Sequence, residues 1–232
     1  MGVKWGKESG KGITLLTDPL DLYAPKSPVI LGRDTTSTMS GTYTLSFYLR
    51  VDAAPDMREA TPLFTWPGVW SLNYSPAQEE LLWTFQQTRE SVDSTTIPLP
   101  DSFVLPGVPL QRWTQIAMVF EGRSVDLFVN GALIQSRMLS NVPPSASASL
   151  TLIPGNLIGS LAFVQVWPNR QSISTLAANY TATSDSQGRP LIPSGVFASL
   201  KNLQWPNLFC PSGTCGNTAK APLSQKWSFP YA

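Results

Sequence analysis

Trp113-Thr-Gln-Ile-Ala-Met-Val-Phe-Glu-Gly-Arg-Ser-Val-Asp-Leu-Phe-Val-Asn-Gly-Ala-Leu-Ile-Gln-Ser136 decides the fold. Two runs rich in β-branched and aromatic residues are separated by the polar connection Glu121-Gly-Arg-Ser124, and the second run closes on Asn130-Gly131. Asn-Gly supplies the two positive φ angles that a two-residue type I′ turn needs, whereas Glu121 to Ser124 reads as a slightly longer turn. The stretch predicts three consecutive antiparallel strands over 113–120, 124–130 and 132–137.

Working outward, Gly41-Thr-Tyr-Thr-Leu-Ser-Phe-Tyr-Leu-Arg-Val-Asp52 alternates. Tyr43, Leu45, Phe47, Leu49 and Val51 point one way and Thr44, Ser46, Tyr48 and Arg50 the other, which predicts a strand with one buried face. Gly159-Ser-Leu-Ala-Phe-Val-Gln-Val-Trp167 reads as a further strand. Ser172 to Tyr180 reads as a short helix, with Ser172 capping the first turn and Ile173, Leu176, Ala177 and Tyr180 on one face.

The Trp-led strand, the short polar turn, the alternating strand ending in Val129-Asn-Gly131 and the third strand resemble the laminin-G-like members of the concanavalin A-like lectin/glucanase superfamily. Residues 41–52 resemble the family's sheet-opening strand, and 159–167 with 172–180 its closing strand and short helix. The likeness thus runs over residues 40–180. It implies an all-β fold, a two-sheet antiparallel β-sandwich of the jelly-roll, concanavalin A-like type, with one short helix and an irregular C-terminal tail.

Further strand signals lie at 12–17, 28–31, 68–74, 80–86, the more polar 87–97, and 148–153. The expected organisation is an N-terminal wrap with edge strands over 1–39, the sandwich over 40–181, and a proline- and aromatic-rich extension over 182–232. In that extension Trp205, Phe209, Trp227, Phe229 and Tyr231 each offer apolar surface whose burial is worth about 2 kcal/mol. Two destinations stay open: the chain's own sheet, or a neighbouring subunit on which Trp and Tyr act as anchors. These five are the candidate partner contacts.

With 13% charged and 42% hydrophobic residues, 21 prolines and a net charge of +1, the 232-residue chain suits one core of many short strands. No basic footprint points to nucleic acid. No stretch reaches the apolar length of a bilayer span, and the polar opening Met1-Gly-Val-Lys-Trp-Gly-Lys7 carries no apolar core of a signal peptide. Asn73-Tyr-Ser75 and Asn179-Tyr-Thr181 fit the glycosylation sequon.

The chain contains no histidine, which removes Ser-His-Asp and Cys-His nucleophile arrangements together with the commonest zinc ligand. Glycoside hydrolysis needs two carboxylates facing each other. Glu79 and Glu80 are adjacent, Glu90 and Asp93 are three apart, and Glu121 and Asp126 straddle a turn; none matches the alternate-spaced acids of the glucanase branch. The expectation is no enzyme, no catalytic residue and no metal ligand. Calcium bound by loop carboxylates is implied by some family relatives; Asp52, Asp56, Glu90, Asp93 and Asp126 are scattered in sequence, so no cofactor is expected, and a calcium site at the sandwich rim stays open as the alternative. Cys210-Pro-Ser-Gly-Thr-Cys215 favours a small disulfide-closed loop over free thiols.

The late Cys-Pro-x-Gly-x-Cys run, taken with the Trp-led strand and Val-Asn-Gly, is similar to proteins of large DNA viruses of algae and protists. That resemblance implies a non-enzymatic structural or interaction protein, a minor capsid component of a virion or assembled particle, partnered by other structural proteins. The alternative is a lectin-like, extracellular or cell-surface module that binds a glycan, with Trp66 and Trp70 as contacts.

Overall fold

The computed structural model describes residues 12–23, 27–31, 41–53, 60–86, 101–144, 149–153 and 157–191. Their strands are β1 (Ile13–Leu16), β2 (Leu20–Asp21), β3 (Val29–Leu31), β4 (Thr42–Ala53), β5 (Thr61–Trp66), β6 (Trp70–Ser75) and β7 (Glu80–Phe85). After these come β8 (Asp101–Leu105), β9 (Thr114–Glu121), β10 (Ser124–Val129), β11 (Ala132–Met138), β12 (Leu150–Leu152), β13 (Ile158–Trp167) and helix α1 (Ile173–Thr183). One sheet runs β1-β13-β4-β9-β10-β11, with β2 also paired to β13, and the other runs β3-β12-β5-β6-β7-β8. Every named strand pair is antiparallel, as the two-sheet sandwich reading requires.

The core lies between the sheets. In the six-stranded sheet, Leu152, Phe64, Leu72, Trp83 and Phe103 stand opposite one another in successive strands, all buried. They face Leu45, Phe47 and Leu49 of β4, Ile116, Met118 and Phe120 of β9, and Leu161, Val164 and Val166 of β13 in the same cluster. Interdigitated aromatics fill the gap, with Tyr43 stacked on Phe120 at 4.3 Å and Phe47 edge-on to Phe64 at 5.1 Å.

The Asn130-Gly131 turn forms as expected, with φ of 50° and 76°. The other turn is shorter than its sequence suggests. Glu121 pairs directly with Ser124, leaving Gly122-Arg123 as a two-residue loop, and Gly122 takes φ 59° at its first central position. Glycine there satisfies the turn without extra residues.

Three further expectations need correction. First, β4 is buried on both faces: Thr44, Ser46 and Tyr48 are as enclosed as their inward neighbours. The reason is a cover over the outer face of the seven-stranded sheet. There Thr44 Oγ1 donates to the Asn169 carbonyl and accepts from Gln171 N, Tyr48 OH and Thr183 Oγ1 share a 2.7 Å hydrogen bond, and Leu176 packs with Ala117, Val119 and Phe128. Second, α1 is capped by Ser172, whose Oγ accepts from Thr175 N at 3.1 Å, but it continues to Thr183. Ile173 is 55% exposed rather than packed, because only Leu176 on that face reaches full burial. Third, β5 and β8 carry no clear signal in the sequence. Pro62 argues against a central strand, yet β12 pairs only with Phe64 and Thr65, so Pro62 lies beyond that ladder, at a register shift opposite Asn73.

The N-terminal strands join both sheets, β1 and β2 on β13 and β3 on β12. The expected strand at 87–97, the Cys210–Cys215 loop, and Trp205, Phe209, Trp227, Phe229 and Tyr231 lie outside the described residues. The chain separates into units 1–193 and 194–232.

Candidate interaction surfaces

Trp66 and Trp70 do not form a glycan platform. Each is 1% exposed. They meet edge-on at 6.0 Å, Trp66 packs edge-on against Tyr43, and Trp70 Nε1 donates to the Tyr43 hydroxyl at 3.1 Å. Both occupy inward positions of their strands, so neither ring face is open to a sugar, and the expectation that they contact glycan is overturned. Burial pushes the Tyr43 phenol far above its ordinary value, with the hydrogen bond from Trp70 partly opposing the rise.

Among the described residues several carboxylates are already engaged. Asp52 pairs with Arg50, Asp185 with Arg189, and Asp101 accepts from the amide and hydroxyl of Ser140. The fold does bring Glu121 and Asp126 together, on neighbouring strands, but Arg170 sits between them at 2.9 Å and 3.9 Å. Ser136 Oγ donates to Asp126 at 2.6 Å. A guanidinium placed between two carboxylates pairs with both and fills the space between them, which is not the arrangement of an acid and a nucleophile flanking a scissile bond. No cluster of three metal-ligating side chains occurs among the described residues; Asp56, Glu90 and Asp93 lie outside them.

Arg170 also lines an open depression of about 680 Å³ with Ser172, Ile173, Ser174 and Ala177. Its charge is directed to Glu121 and Asp126, so the depression offers a hydroxyl and apolar lining rather than an anion cradle. The sequon residues divide between two settings. Asn179 lies on α1 with its amide directed at Gln165, whereas Asn73 lies on β6 with its side chain away from the core.

Two surfaces stand out as exposed among the described residues. One is β11, the edge of the seven-stranded sheet, exposed at every position, with Leu133, Ile134 and Met138 at 43%, 54% and 66%. Among the described residues it pairs only with β10. Edge strands are ordinarily guarded by charge, proline or a bulge; β11 has Arg137 and one register shift, which leaves Ile134 unpaired. The other surface is the outer face of the six-stranded sheet, where Thr151, Thr65, Ser71, Thr84 and Ser102 stand opposite one another across five successive strands. Sequence reasoning missed both, because edge position and lateral register depend on strand order.

Residues 26–171 match the family model described as the concanavalin A-like lectin/glucanases superfamily, of the laminin G type. No curated protein matches the chain. Among solved structures it is similar to the binding domain of botulinum neurotoxin serotype D, at 12% identity and TM-score 0.57 over 78% of this chain and 50% of the toxin chain. It is also similar to the botulinum neurotoxin DC binding domain, in one structure complexed with rat synaptotagmin II (12% identity, TM-score 0.57, 78% and 49% covered) and in another with SialylT (11%, 0.57, 77% and 48%). The chain spans about half the length of these solved relatives, and at such identity the likeness is one of fold. The family match carries the laminin-G-like reading and not the narrower likeness to proteins of large DNA viruses. By its strand order, its packed core and its match over most of the sandwich, the chain belongs to the concanavalin A-like lectin/glucanase superfamily.

Proposed function

We propose that the chain is a non-enzymatic interaction protein that docks onto a neighbouring protein by adding a partner strand to β11, as a subunit of a larger assembly. A virion or other particle is the setting implied by the sequence resemblance. The observation that carries the reading is the seven-residue β11, whose outer edge is unpaired among the described residues and which is apolar at Leu133, Ile134 and Met138. An exposed backbone edge is satisfied in register only by another extended strand, so the occupant is a β-strand of a partner protein. Its chemistry follows from β11 itself: small or apolar residues opposite Leu133 and Ile134, and a carboxylate near Arg137, the strand's one charge. The fold neighbours are binding domains, which agrees with a binding role.

A photo-cross-linking amino acid in place of Gln135, introduced into the chain in its native source, tests this. A stoichiometric adduct to one structural protein of the purified particle, abolished by Ile134→Lys at unchanged melting temperature, is the expected result. Equal incorporation of the Ile134→Lys variant would sink the docking reading. An adduct confined to copies of the chain itself would replace the partner with a homodimer.

A second reading, glycan binding, loses Trp66 and Trp70 but is favoured separately by the hydroxyl row of the six-stranded sheet.

A further inference from the structure

Helix α1 and the residues leading into it touch the β10–β11 hairpin at three levels. At the entry Arg170 pairs with Asp126 of β10, whose carboxylate also accepts from Ser136 of β11 at 2.6 Å. In the middle Leu176 packs with Phe128, the residue of β10 that pairs with Leu133 of β11. Further along, Ala177 and Tyr180 close on Gly131, where a Cβ would lie 3.0 Å from Ala177 Cα. The same segment is tied to β4, through Thr44 Oγ1 with Asn169 and Gln171 at 3.0 Å each and through Tyr48 OH with Thr183 Oγ1 at 2.7 Å. Residues 169–183 thus form a strap from β4 to the edge hairpin, across the outer face of the seven-stranded sheet.

The strap is held down lightly. Leu176 is the one buried residue of the eleven in α1. The helix carries no acid in its first turn and no base in its last, so its dipole has no charged complement within its own turns. Thr181 and Thr183 turn their hydroxyls back onto the carbonyls of Ala177 and Asn179, which weakens a helix slightly. Its length also falls short of the roughly 12–15 residues at which a helix becomes even marginally stable alone in water. α1 therefore persists only while docked, and its release requires less than opening the sandwich, whose strands bury a continuous core. β11 is equally dependent on its neighbours. None of its residues is buried, and among the described residues β10 is its sole ladder partner.

We infer that α1 is a latch for the β11 edge. Docked, it holds the β10–β11 hairpin as a fixed template; released, it lets the Gly131 turn relax and β11 fray from β10. As a regulation of docking this rests on the β11 reading, whereas the coupling of helix to edge strand is a property of the chain alone. A frayed strand presents no fixed register, so release of α1 switches off strand addition. The coupling is reciprocal: a strand seated on β11 steadies the hairpin and keeps α1 down. Leu176 is the positioning residue of this device, acting on β11 through Phe128.

Hydrogen–deuterium exchange of the full chain, read by peptide mass spectrometry, tests the latch. In the parent chain the amides of α1 should exchange faster than those of β6 and β7, which lie in the other sheet. Leu176→Ala should speed exchange of α1 and β11 together by about tenfold or more, the least that loss of a buried leucine does to docking, and leave β6 and β7 unchanged. Tyr48→Phe frees the exit of α1 from β4 without altering the hairpin, and should speed the same two peptides by about fivefold. α1 exchanging no faster than β6 and β7, or faster exchange of α1 with β11 unmoved, would overturn the inference. If Leu176→Ala also speeds β6 and β7, Tyr48→Phe decides by the same outcomes. The Gln135 cross-link reports docking separately: an adduct without coupled exchange keeps docking and removes the latch, and coupled exchange without an adduct keeps the coupling and removes docking.

Discussion

Gly131 carries two constraints at once. Its φ of 76° closes the hairpin, and a Cβ placed there would lie 3.0 Å from Ala177 Cα and 3.2 Å from Tyr180 Cβ. Gly122 has a similar φ of 59° but open space around it. Gly122→Ala should therefore lose about 1 kcal/mol, the cost of a left-handed alanine. Gly131→Ala should lose roughly 2–3 kcal/mol, because α1 must also shift. Urea titrations with unchanged m values measure both, and equal losses would show that the helix does not constrain the turn. Sequence alone exposes the first constraint, since Asn-Gly between two strand patterns is a turn signal. It hides the second, since nothing local reveals that a helix more than forty residues later rests on that turn.

At the scale of the element, the exit of α1 is held by one carboxylate. Asp185 accepts from the amides of Gln187 and Arg189 at 2.9 Å each and from Arg189 Nε at 2.7 Å. The backbone hydrogen bond from Arg189 is the largest cause holding its carboxyl below the ordinary 3.8, with the Arg189 side chain and the Gln187 amide adding to it. A carboxyl lowered in the folded state contributes stability that is present above its unfolded pKa and is lost as pH falls through the folded value. Asp185→Asn should accordingly lower the melting temperature at pH 7, with the difference from the parent chain shrinking as pH drops below 3.8 and vanishing under the folded pKa. A difference that persists unchanged into acid would place the effect in the shape of the turn rather than in its charge. β13 shows how an element can depart from its own alternation: Phe163 takes φ 48° at a register shift between Ala162 and Gln165. That extra residue lets Leu161, Val164 and Val166 all face the core.

For the whole molecule, the decisive contact is between the sheets. Tyr43 of β4 accepts the indole hydrogen of Trp70 of β6 and stacks on Phe120, inside a core where both partners are buried. Tyr43→Phe leaves that N–H without its partner, so about 1–3 kcal/mol of stability should disappear. Because burial raises the Tyr43 phenol, its neutral form is the folded one, and alkali ionises it only as the sandwich opens. Alkaline difference spectroscopy should find one fewer phenol titrating cooperatively with unfolding in Tyr43→Phe than in the parent chain. A parent whose Tyr43 ionises before unfolding would contradict the buried inter-sheet bond. By itself the sequence determined the sandwich, its three-strand signature and the capped helix, because alternation, Asn-Gly turn chemistry and a Ser cap act over a few residues. Only the tertiary structure decided which of the described tryptophans are hidden, that β4 is covered on both sides, that β11 is an edge strand among the described residues, and that five hydroxyl residues align. Those features depend on strand order and register, which are set by packing between residues far apart in the chain.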